Sequence, residues 1–302
     1  MRIGVSLHDP TGPSPMTALR EELQRAAGQG FHSAWMSNIF GVDALTALAV
    51  AGSQVPGIEV GTAVVPTYPR HPAALAQQAR TVAAAVDGRL VLGIGLSHKI
   101  VIQDMFGYDF SRPILHMREY LDVLLPLLDG QPVSYAGTTV RASIGLTTPS
   151  PGRVPVVMAA LGAQMLKLAG ERTDGTVLWM TGPATVRDHV VPALTAAAAA
   201  TGRPSPRVVC ILPVCVTDDP DGARARAARV FAIYGELPSY RAMLDREGAA
   251  GPADVAIVGN EDTVAAQIGT LAGLGVTDFV AGEYTGGPDG ARTRAFLRTL
   301  LS

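Results

Sequence analysis

Two histidines, His8 and His98, are the side chains of this sequence best suited to move a proton at neutral pH. Each lies just after an apolar run that predicts a β-strand, Ile3–Leu7 for the first and Arg89–Gly95 for the second. Because an imidazole titrates near neutral pH, either ring could donate or accept the proton that accompanies a hydride transfer. The alternative for both is a structural role, in which the ring only makes a hydrogen bond.

Small residues follow several other apolar runs of the chain. Such residues suit a flat ring system that approaches the backbone closely and is bound by main-chain amides more than by charged side chains. The alternative is that they merely pack the end of the fold. Gly162 opens a predicted helix, and the amides at a helix N-terminus favour a phosphate. The positions in this set are Ala63, Val64, Ala159, Ala160, Leu161 and Gly162.

Composition and charge exclude several classes of function. No His, Asp and Glu residues at these positions have the spacing of metal ligands, so we expect no bound metal. Cys210 and Cys215 lie in one apolar run, which predicts a buried strand and neither a zinc site nor a disulfide. A net charge of -2 over 302 residues gives no strong field to attract nucleic acid or an acidic membrane surface. We therefore expect a small-molecule substrate, with no nucleic acid and no membrane as partner.

The elements that must position these residues alternate between strand and helix eight times. The predicted strands are Ile3–Leu7, Phe31–Met36, Ile58–Val65, Arg89–Gly95, Pro155–Ala160, Thr176–Trp179, Val208–Val214 and Thr277–Ala281. The predicted helices include one from Pro15 to about Ala27, then Phe40–Ala51, Pro72–Val86, Arg112–Leu128, Ala163–Gly170 and Pro183–Thr201. The alternating stretch Val133–Val140 predicts an inserted hairpin before strand five, and a long helical excursion follows strand seven.

Eight such units predict an α/β fold, a (β/α)8 TIM barrel that forms a single domain over residues 1–302. An open doubly wound sheet would need a glycine-rich phosphate turn after the first strand, where this chain has Pro10 and Pro13. The pair Gly93-x-Gly95 lacks the later glycine of a dinucleotide motif and belongs to the fourth strand. In a barrel of this kind the active site lies at the carboxyl ends of the strands, where the residues named above fall.

The N-terminal residues Met1–Val5 lead directly into a strand, with no long apolar segment before it. No other stretch reaches the roughly 20 apolar residues that a transmembrane helix needs. We therefore expect a cytoplasmic protein, and we expect it to be a homodimer.

Longer segments resemble the F420-dependent oxidoreductases of the luciferase-like monooxygenase superfamily. Those that resemble the family's fourth unit are Arg89–His98, Phe106–Pro113 and Met117–Leu121. Those that resemble its fifth unit and the start of its sixth are Val154–Gly162, Leu168–Gly170 and Asp174–Thr176. The resemblance covers most of the chain and is weakest over Thr217–Ala253.

This resemblance implies a bound deazaflavin, F420, with FMN as the alternative. It implies a non-prolyl cis peptide at Ala63–Val64, in a bulge of strand three that backs the central ring, and the cofactor phosphate near Gly162. The positions that match cofactor-binding segments are Ser37, Asn38, Ala63, Val64, Thr67, Ser97, His98, Ala159, Ala160, Leu161, Gly162, Met180, Thr181 and Gly182.

The function implied by the resemblance is that of a reductase, which passes hydride from reduced F420 to an activated C=C, C=N or C=O bond. An FMN-dependent monooxygenase and a non-catalytic ligand-binding barrel are the alternatives. Relatives that oxidise glucose 6-phosphate carry a histidine after strand two and a glutamate after strand four, where this chain has Ile39 and His98. Sugar-phosphate oxidation is therefore not expected. Tetrahydromethanopterin is not favoured either, because acidic residues are sparse at the predicted strand ends.

Overall fold

The computed structural model describes residues 1–10, 12–149 and 152–301. Its strands follow the predicted order. They are β1 (Arg2–Leu7), β2 (Ser33–Met36), β3 (Glu59–Thr62), β4 (Val65–Pro66), β5 (Leu90–Gly95), β6 (Val133–Ala136), β7 (Arg141–Ile144), β8 (Val156–Ala159), β9 (Gly175–Trp179), β10 (Arg207–Val216), β11 (Ile257–Gly259) and β12 (Asp278–Glu283). The eight predicted strands correspond to β1, β2, β3 with β4, β5, β8, β9, β10 and β12.

Helices separate these strands. They are α1 (Pro15–Gly28), α2 (Ala44–Gly52), α3 (Pro72–Ala85), α4 (Pro113–Leu128), α5 (Ala163–Arg172), α6 (Pro183–Thr185), α7 (Val191–Ala200), α8 (Pro220–Val230), α9 (Ala232–Glu236), α10 (Pro238–Glu247), α11 (Glu261–Gly273) and α12 (Gly287–Thr299). Ile100–Met105 and Val186–Val190 are π-helical, and Pro252–Val255 is a 3-10 turn. The β-then-α alternation of a (β/α)8 barrel is thus present. Among the described residues, no helix combines the length and the apolar composition needed to cross a lipid bilayer.

Several predicted boundaries differ from the structure, and two of them are wrong by four residues. The helix predicted from Phe40 begins at Ala44, because the side chain of Asp43 accepts a hydrogen bond from the amide of Thr46 and so caps the first turn. The predicted hairpin Val133–Val140 is larger than expected, since its second strand is Arg141–Ile144. Residues 137–140 form the connecting turn. A carboxylate from another part of the sequence binds this turn, and the alternating pattern of a strand does not indicate such a contact.

That carboxylate belongs to Glu119 of α4, which is 4% exposed. It accepts hydrogen bonds from the amides of Thr138, Thr139 and Val140 and from the hydroxyl of Thr139, at 2.6–3.0 Å. Burial alone would raise the pKa of Glu119, but these donors together lower it to about 2. The inserted hairpin is therefore anchored to α4 by one charged side chain.

The helical excursion after strand seven contains a strand that the sequence analysis missed. Ile257–Gly259 pairs in parallel with Val214–Val216 at the end of β10. β10 begins one residue before the predicted strand Val208–Val214 and ends two residues after it. A strand of three residues is too short for a period-two pattern to be recognised. Its pairing with β10 is what stabilises it.

The chain divides into two compact units. The first consists of residues 1–6, 28–35 and 160–302, and the second of residues 7–27 and 36–159. In the first, β11, β10, β12 and β1 are neighbours in that order, β9 pairs with the other part of β10, and all these pairs are parallel. In the second, β3, β5 and β8 are parallel neighbours, and β4 also pairs with β5. The single domain predicted over residues 1–302 stays a prediction.

A buried ion pair joins the amino ends of three strands in the first unit. Asp278, only 1% exposed, receives hydrogen bonds of 2.8 and 2.6 Å from the guanidinium of Arg207, and Arg2 lies 3.4 Å away. Arg207 also lies over the ring of Trp35, 5.5 Å from its centroid. The amino ends of barrel strands serve stability, whereas the carboxyl ends carry function. We therefore assign this charge cluster to the fold.

Candidate active site

Ala63 and Val64 form a bulge between β3 and β4, and the peptide bond that joins them is cis. The cis peptide predicted at this position is confirmed. The amide of Ala63 donates to the carbonyl of Met36 at 2.8 Å. On the other side, the hydroxyl of Thr62 donates to the carbonyl of Gly93 and accepts from its amide, both at 2.8 Å. The bulge is thus held from two sides while Ala63 and Val64 stay partly exposed.

Two glycines of β5 allow the bulge to lie close against that strand. An ideal Cβ on Gly93 would lie 1.8 Å from the carbonyl oxygen of Thr62. One on Gly95 would lie 2.6 Å from the side chain of Val64 and 3.2 Å from the Cβ of Ala159. Close backbone approach therefore explains the Gly93-x-Gly95 pair, with no need for a dinucleotide turn. Three positions that the sequence analysis treated separately, the bulge, the end of β5 and the end of β8, come together here.

His98 follows β5 in an unusual stretch of backbone. Ser97 has a φ of +62°, a left-handed conformation that a residue with a side chain adopts rarely and most often at functional sites. The carbonyl of His98 accepts from the amides of Val101 and Ile102, both at 2.9 Å, so the π-helical segment begins directly after it. Burial lowers the pKa of His98 below its ordinary value. At neutral pH the ring is therefore mainly neutral and can both donate and accept a hydrogen bond.

His8 lies in different surroundings. Its side chain is 60% exposed, and its Nδ1 lies 2.8 Å from a carboxylate oxygen of Glu22 on α1. The backbone amide of His8 donates to the other oxygen of the same carboxylate at 3.4 Å. Such a pairing fixes an exposed loop to a helix. Of the two predicted catalytic histidines, His98 has the more enclosed setting.

Ser37 and Asn38 follow β2 and are both partly exposed. The side-chain oxygen of Asn38 accepts from the amide of Ala44 at 3.0 Å, so this residue also orders the loop before α2. Asp9 accepts from the amide of Val42 in the same loop. The predicted cofactor role of Ser37 and Asn38 stays a prediction.

Thr67 is fully buried, and its hydroxyl lies 3.0 Å from Nε2 of His116 on α4. The ring of His116 stacks on Tyr68, with centroids 3.9 Å apart and planes at 11°. Burial lowers the pKa of His116 to about 4, so its ring is neutral in the physiological range. Burial, with a smaller effect of Asp109, raises the pKa of Tyr68 to about 12. Among the described residues, the buried hydroxyl of Tyr68 has no hydrogen-bond partner.

Sequence reasoning missed His116 and Tyr68. A signal was available for the first, because a histidine within the apolar face of a helix is a buried polar group that needs a partner. The identity of that partner, Thr67, depends on how α4 packs, which a single sequence does not show.

Gly162 is the N-cap of α5, as predicted, and among the described residues no side chain caps this helix N-terminus. Gly162, Ala163 and Gln164 are exposed, and a Cβ on Gly162 would meet no atom within 4 Å. Ala160, just before them, is buried, while the carbonyl of Leu161 lies 2.7 Å from Nε2 of His189. This helix N-terminus therefore combines open space with amides that no side chain satisfies, the conditions under which an anion binds.

Met180, Thr181 and Gly182 follow β9 and lead into α6. Met180 is fully buried and has a left-handed φ of +53°. Gly182 is again an N-cap, but here the carboxylate of Glu247 accepts hydrogen bonds from the amides of Ala184 and Thr185, at 3.0 and 2.7 Å. Glu247 therefore already occupies this helix N-terminus, which leaves the one at Gly162 as the better place for an anion.

Across the described ranges, no three His, Cys, Asp or Glu side chains are arranged to hold a metal ion.

A family model described as luciferase-like monooxygenase matches residues 1–278. The chain is 27% identical over 301 residues to a 5,10-methylenetetrahydromethanopterin reductase of Methanolobus tindarius, and the match covers 90% of this chain and 92% of that protein.

Two solved structures show the fold. The coenzyme F420-dependent tetrahydromethanopterin reductase of Methanopyrus kandleri has a TM-score of 0.83 at 23% identity, covering 98% of this chain and 97% of that one. The FMN-bound oxygenating component of 3,6-diketocamphane monooxygenase from Pseudomonas putida has a TM-score of 0.78 at 18% identity, covering 100% and 97%. The predicted luciferase-like (β/α)8 barrel is confirmed. With its family model spanning nearly the whole length, the chain belongs to the luciferase-like monooxygenase family and is an oxidoreductase of that family.

Proposed function

We propose that this chain is an F420-dependent reductase, which transfers a hydride from reduced F420 to an activated C=C, C=N or C=O bond of a small organic substrate. The observation that carries the proposal lies in the second unit. There Gly95 lies against both Val64 of the partly exposed bulge and Ala159, and the half-buried imidazole of His98 follows three residues after Gly95. A small-residue apolar surface suits a planar ring, and a neutral imidazole after the neighbouring strand suits a proton transfer.

Each unit, taken by itself, offers residues that suit one part of a deazaflavin. Ala63, Val64 and Ala159 would contact the ring, since their small side chains allow it to approach the backbone. The uncapped amides after Gly162 would hold the phosphate. Ser37, Asn38, Ser97, Leu161 and Thr181 are proposed as further contacts on the basis of the family resemblance. Thr67, Ala160, Met180 and Gly182 belong to the same predicted set, although the hydroxyl of Thr67 already pairs with His116.

When bound, reduced F420 would supply the hydride, and the acceptor bond would also take up one proton. His98 is the proposed source of that proton or of the hydrogen bond that polarises the acceptor. His8 is the second candidate, although its contact with Glu22 engages it elsewhere. The remaining contribution of the protein is to orient the reactants and to exclude water.

An FMN-dependent monooxygenase is the second candidate function. The FMN-bound monooxygenase that shares this fold favours it, and the same small-residue surface would accommodate an isoalloxazine ring. In that reaction reduced FMN and oxygen together oxygenate a carbon of the substrate.

Titration of the purified protein with F420 and with FMN, followed by fluorescence of each cofactor, separates the two candidates. We expect saturable binding of F420 and none of FMN, and oxidation of reduced F420 that requires an added acceptor but no oxygen. Binding of FMN alone, with oxygen uptake on addition of substrate, would overturn the proposal in favour of the monooxygenase. Light scattering on the same samples tests the predicted homodimer.

A further inference from the structure

Five aromatic side chains of the first unit form one cluster: Trp179, Phe231, Tyr234, Tyr240 and Tyr284. The ring of Trp179 meets Phe231 and Tyr234 edge-on, with centroids 5.6 and 5.7 Å away. Phe231 meets Tyr284 at 5.6 Å, and Tyr234 meets Tyr240 at 5.1 Å with planes at 90°. We call these five residues the aromatic wall. Aromatic residues are only 5% of the sequence, so their concentration here needs an explanation.

Two residues of the aromatic wall lie at the ends of strands. Trp179 is the last residue of β9, and Tyr284 directly follows β12. Both therefore stand at the carboxyl ends of strands, where barrel enzymes bind their substrates. Substrates in such folds are recognised mainly by loops that follow the strands.

The other three rings come from the helical excursion after β10. The short helix α9 buries none of its own residues, yet Phe231 before it and Tyr234 within it face Trp179. On the opposite face Ile233 is 55% exposed. All five wall residues are only partly buried, so the rings keep free surface after packing against one another.

The aromatic wall is uncharged. Burial raises the pKa values of Tyr234, Tyr240 and Tyr284, so the three phenols stay neutral in the physiological range. The charged groups that act on Tyr284 are Arg224, Arg226 and Asp289, and Arg224 donates to the carbonyl of Ala253 at 3.3 Å. Glu283, just before Tyr284, is paired with Arg294. The rings themselves are neutral, and a surface of neutral rings favours flat apolar ligands.

We propose that the aromatic wall is the substrate-binding face of this enzyme and that it selects flat, uncharged acceptors in which the reducible double bond is conjugated to an aromatic ring. This inference rests on the proposed function, because it names the substrate class of the proposed reductase. Edge and face contacts with a second π-system strengthen the binding of a substrate that carries an aromatic ring. They add little to the binding of a substrate with a short aliphatic chain.

The test compares two enones that differ in one group, benzylideneacetone and ethylideneacetone, in which methyl replaces phenyl. Trp179 and Trp35 are the two tryptophans of the sequence, and Trp35 is fully buried, so quenching of tryptophan fluorescence reports on the aromatic wall. We expect benzylideneacetone to quench the fluorescence and to bind at least about tenfold more tightly than ethylideneacetone by calorimetry. In Trp179→Phe the quenching should disappear while calorimetric binding largely remains.

Tyr234→Leu and Phe231→Leu should each weaken binding of benzylideneacetone about tenfold and leave that of ethylideneacetone unchanged. Ile233→Ala, on the exposed face of the same helix, is the matched control and should bind both enones as the wild type does. Phe231 packs against a buried apolar cluster that includes Ala223 and Ala227, so circular dichroism must show that its variant folds. Tyr234→Leu carries the test if that variant does not.

Equal affinity for the two enones, or benzylideneacetone binding that both Tyr234→Leu and a folded Phe231→Leu leave intact, would overturn the inference. Titration with F420 on the same samples tests the proposed cofactor separately from the proposed substrate class. F420 binding without discrimination between the enones removes only the aromatic substrate class. Discrimination and quenching without F420 binding support the aromatic wall as a ligand site and overturn the proposed cofactor.

Discussion

The side chain of Val64 occupies the space that a Cβ on Gly95 would need. Such a Cβ would lie 2.6 Å from Cγ2 of Val64. This contact joins the bulge after β3 to the end of β5. It links two predicted cofactor segments that are about 30 residues apart in the sequence.

Gly95→Ala should therefore lower the free energy of unfolding by about 1–3 kcal/mol, because the new methyl group overpacks against Val64 and Ala159. It should also weaken cofactor binding, since the bulge must shift. Denaturant unfolding and cofactor titration measure the two effects. Gly269→Ala is the control, because a Cβ at that helical position meets no atom within 4 Å. That variant should be as stable as the wild type or slightly more stable. Equal stability of the two variants would show that the bulge adapts freely.

Gly162→Asp should weaken cofactor binding by about 10- to 100-fold, because its carboxylate would face the cofactor phosphate at the N-terminus of α5. Stability should be kept or slightly increased, since aspartate is a favourable N-cap. Gly162→Ala adds a methyl group in open space and should bind nearly as the wild type does. Unchanged affinity in a folded Gly162→Asp protein would place the phosphate elsewhere.

His98→Ala should lower turnover by about 10²–10⁴-fold with cofactor binding largely kept, if His98 donates the proton that completes reduction. Since burial lowers the pKa of His98, the protonated ring is scarce at neutral pH. A wild-type rate that rises as pH falls toward this lowered pKa would identify imidazolium as the acid. Full turnover in His98→Gln would instead assign the residue to ring positioning, and leave His8 or water as the proton source. The turnover of His8→Ala, measured in parallel, distinguishes His8 from water as that proton source.

Glu119→Gln should be less stable than the wild type at neutral pH, because an amide can replace only one of the two carboxylate oxygens that hold the hairpin turn. The pKa of Glu119 is lowered on folding, to about 2, so the carboxylate stabilises the fold above its unfolded pKa. That stabilisation is lost as pH falls through the folded pKa. The difference between variant and wild type should therefore shrink between about pH 4.5 and pH 2. Unfolding curves in denaturant across that range measure it, and a difference independent of pH would contradict the assignment.

The sequence by itself determined the order of the elements and the end of the fold where the site lies. Continuous apolar runs marked the strands, because strands of a parallel sheet are buried on both faces. Glycine and proline marked several ends, as at Gly162 before α5 and Pro15 at the start of α1. The placement of His98 after a strand follows from these local patterns, whereas the bulge at Ala63 and Val64 was implied by the family resemblance.

Only the tertiary structure decided which partner each polar or aromatic group has. Glu247 caps the helix after Gly182, Glu119 holds residues 138–140, His116 meets Thr67, and Phe231 meets Trp179. The members of these pairs are 19 to 63 residues apart in the chain. Strand and helix periods describe only near neighbours in sequence, whereas such contacts depend on how distant elements pack. For that reason only the structure shows that the carboxylate of Glu247 is a helix cap. It also shows that aromatic residues far apart in the sequence form the aromatic wall.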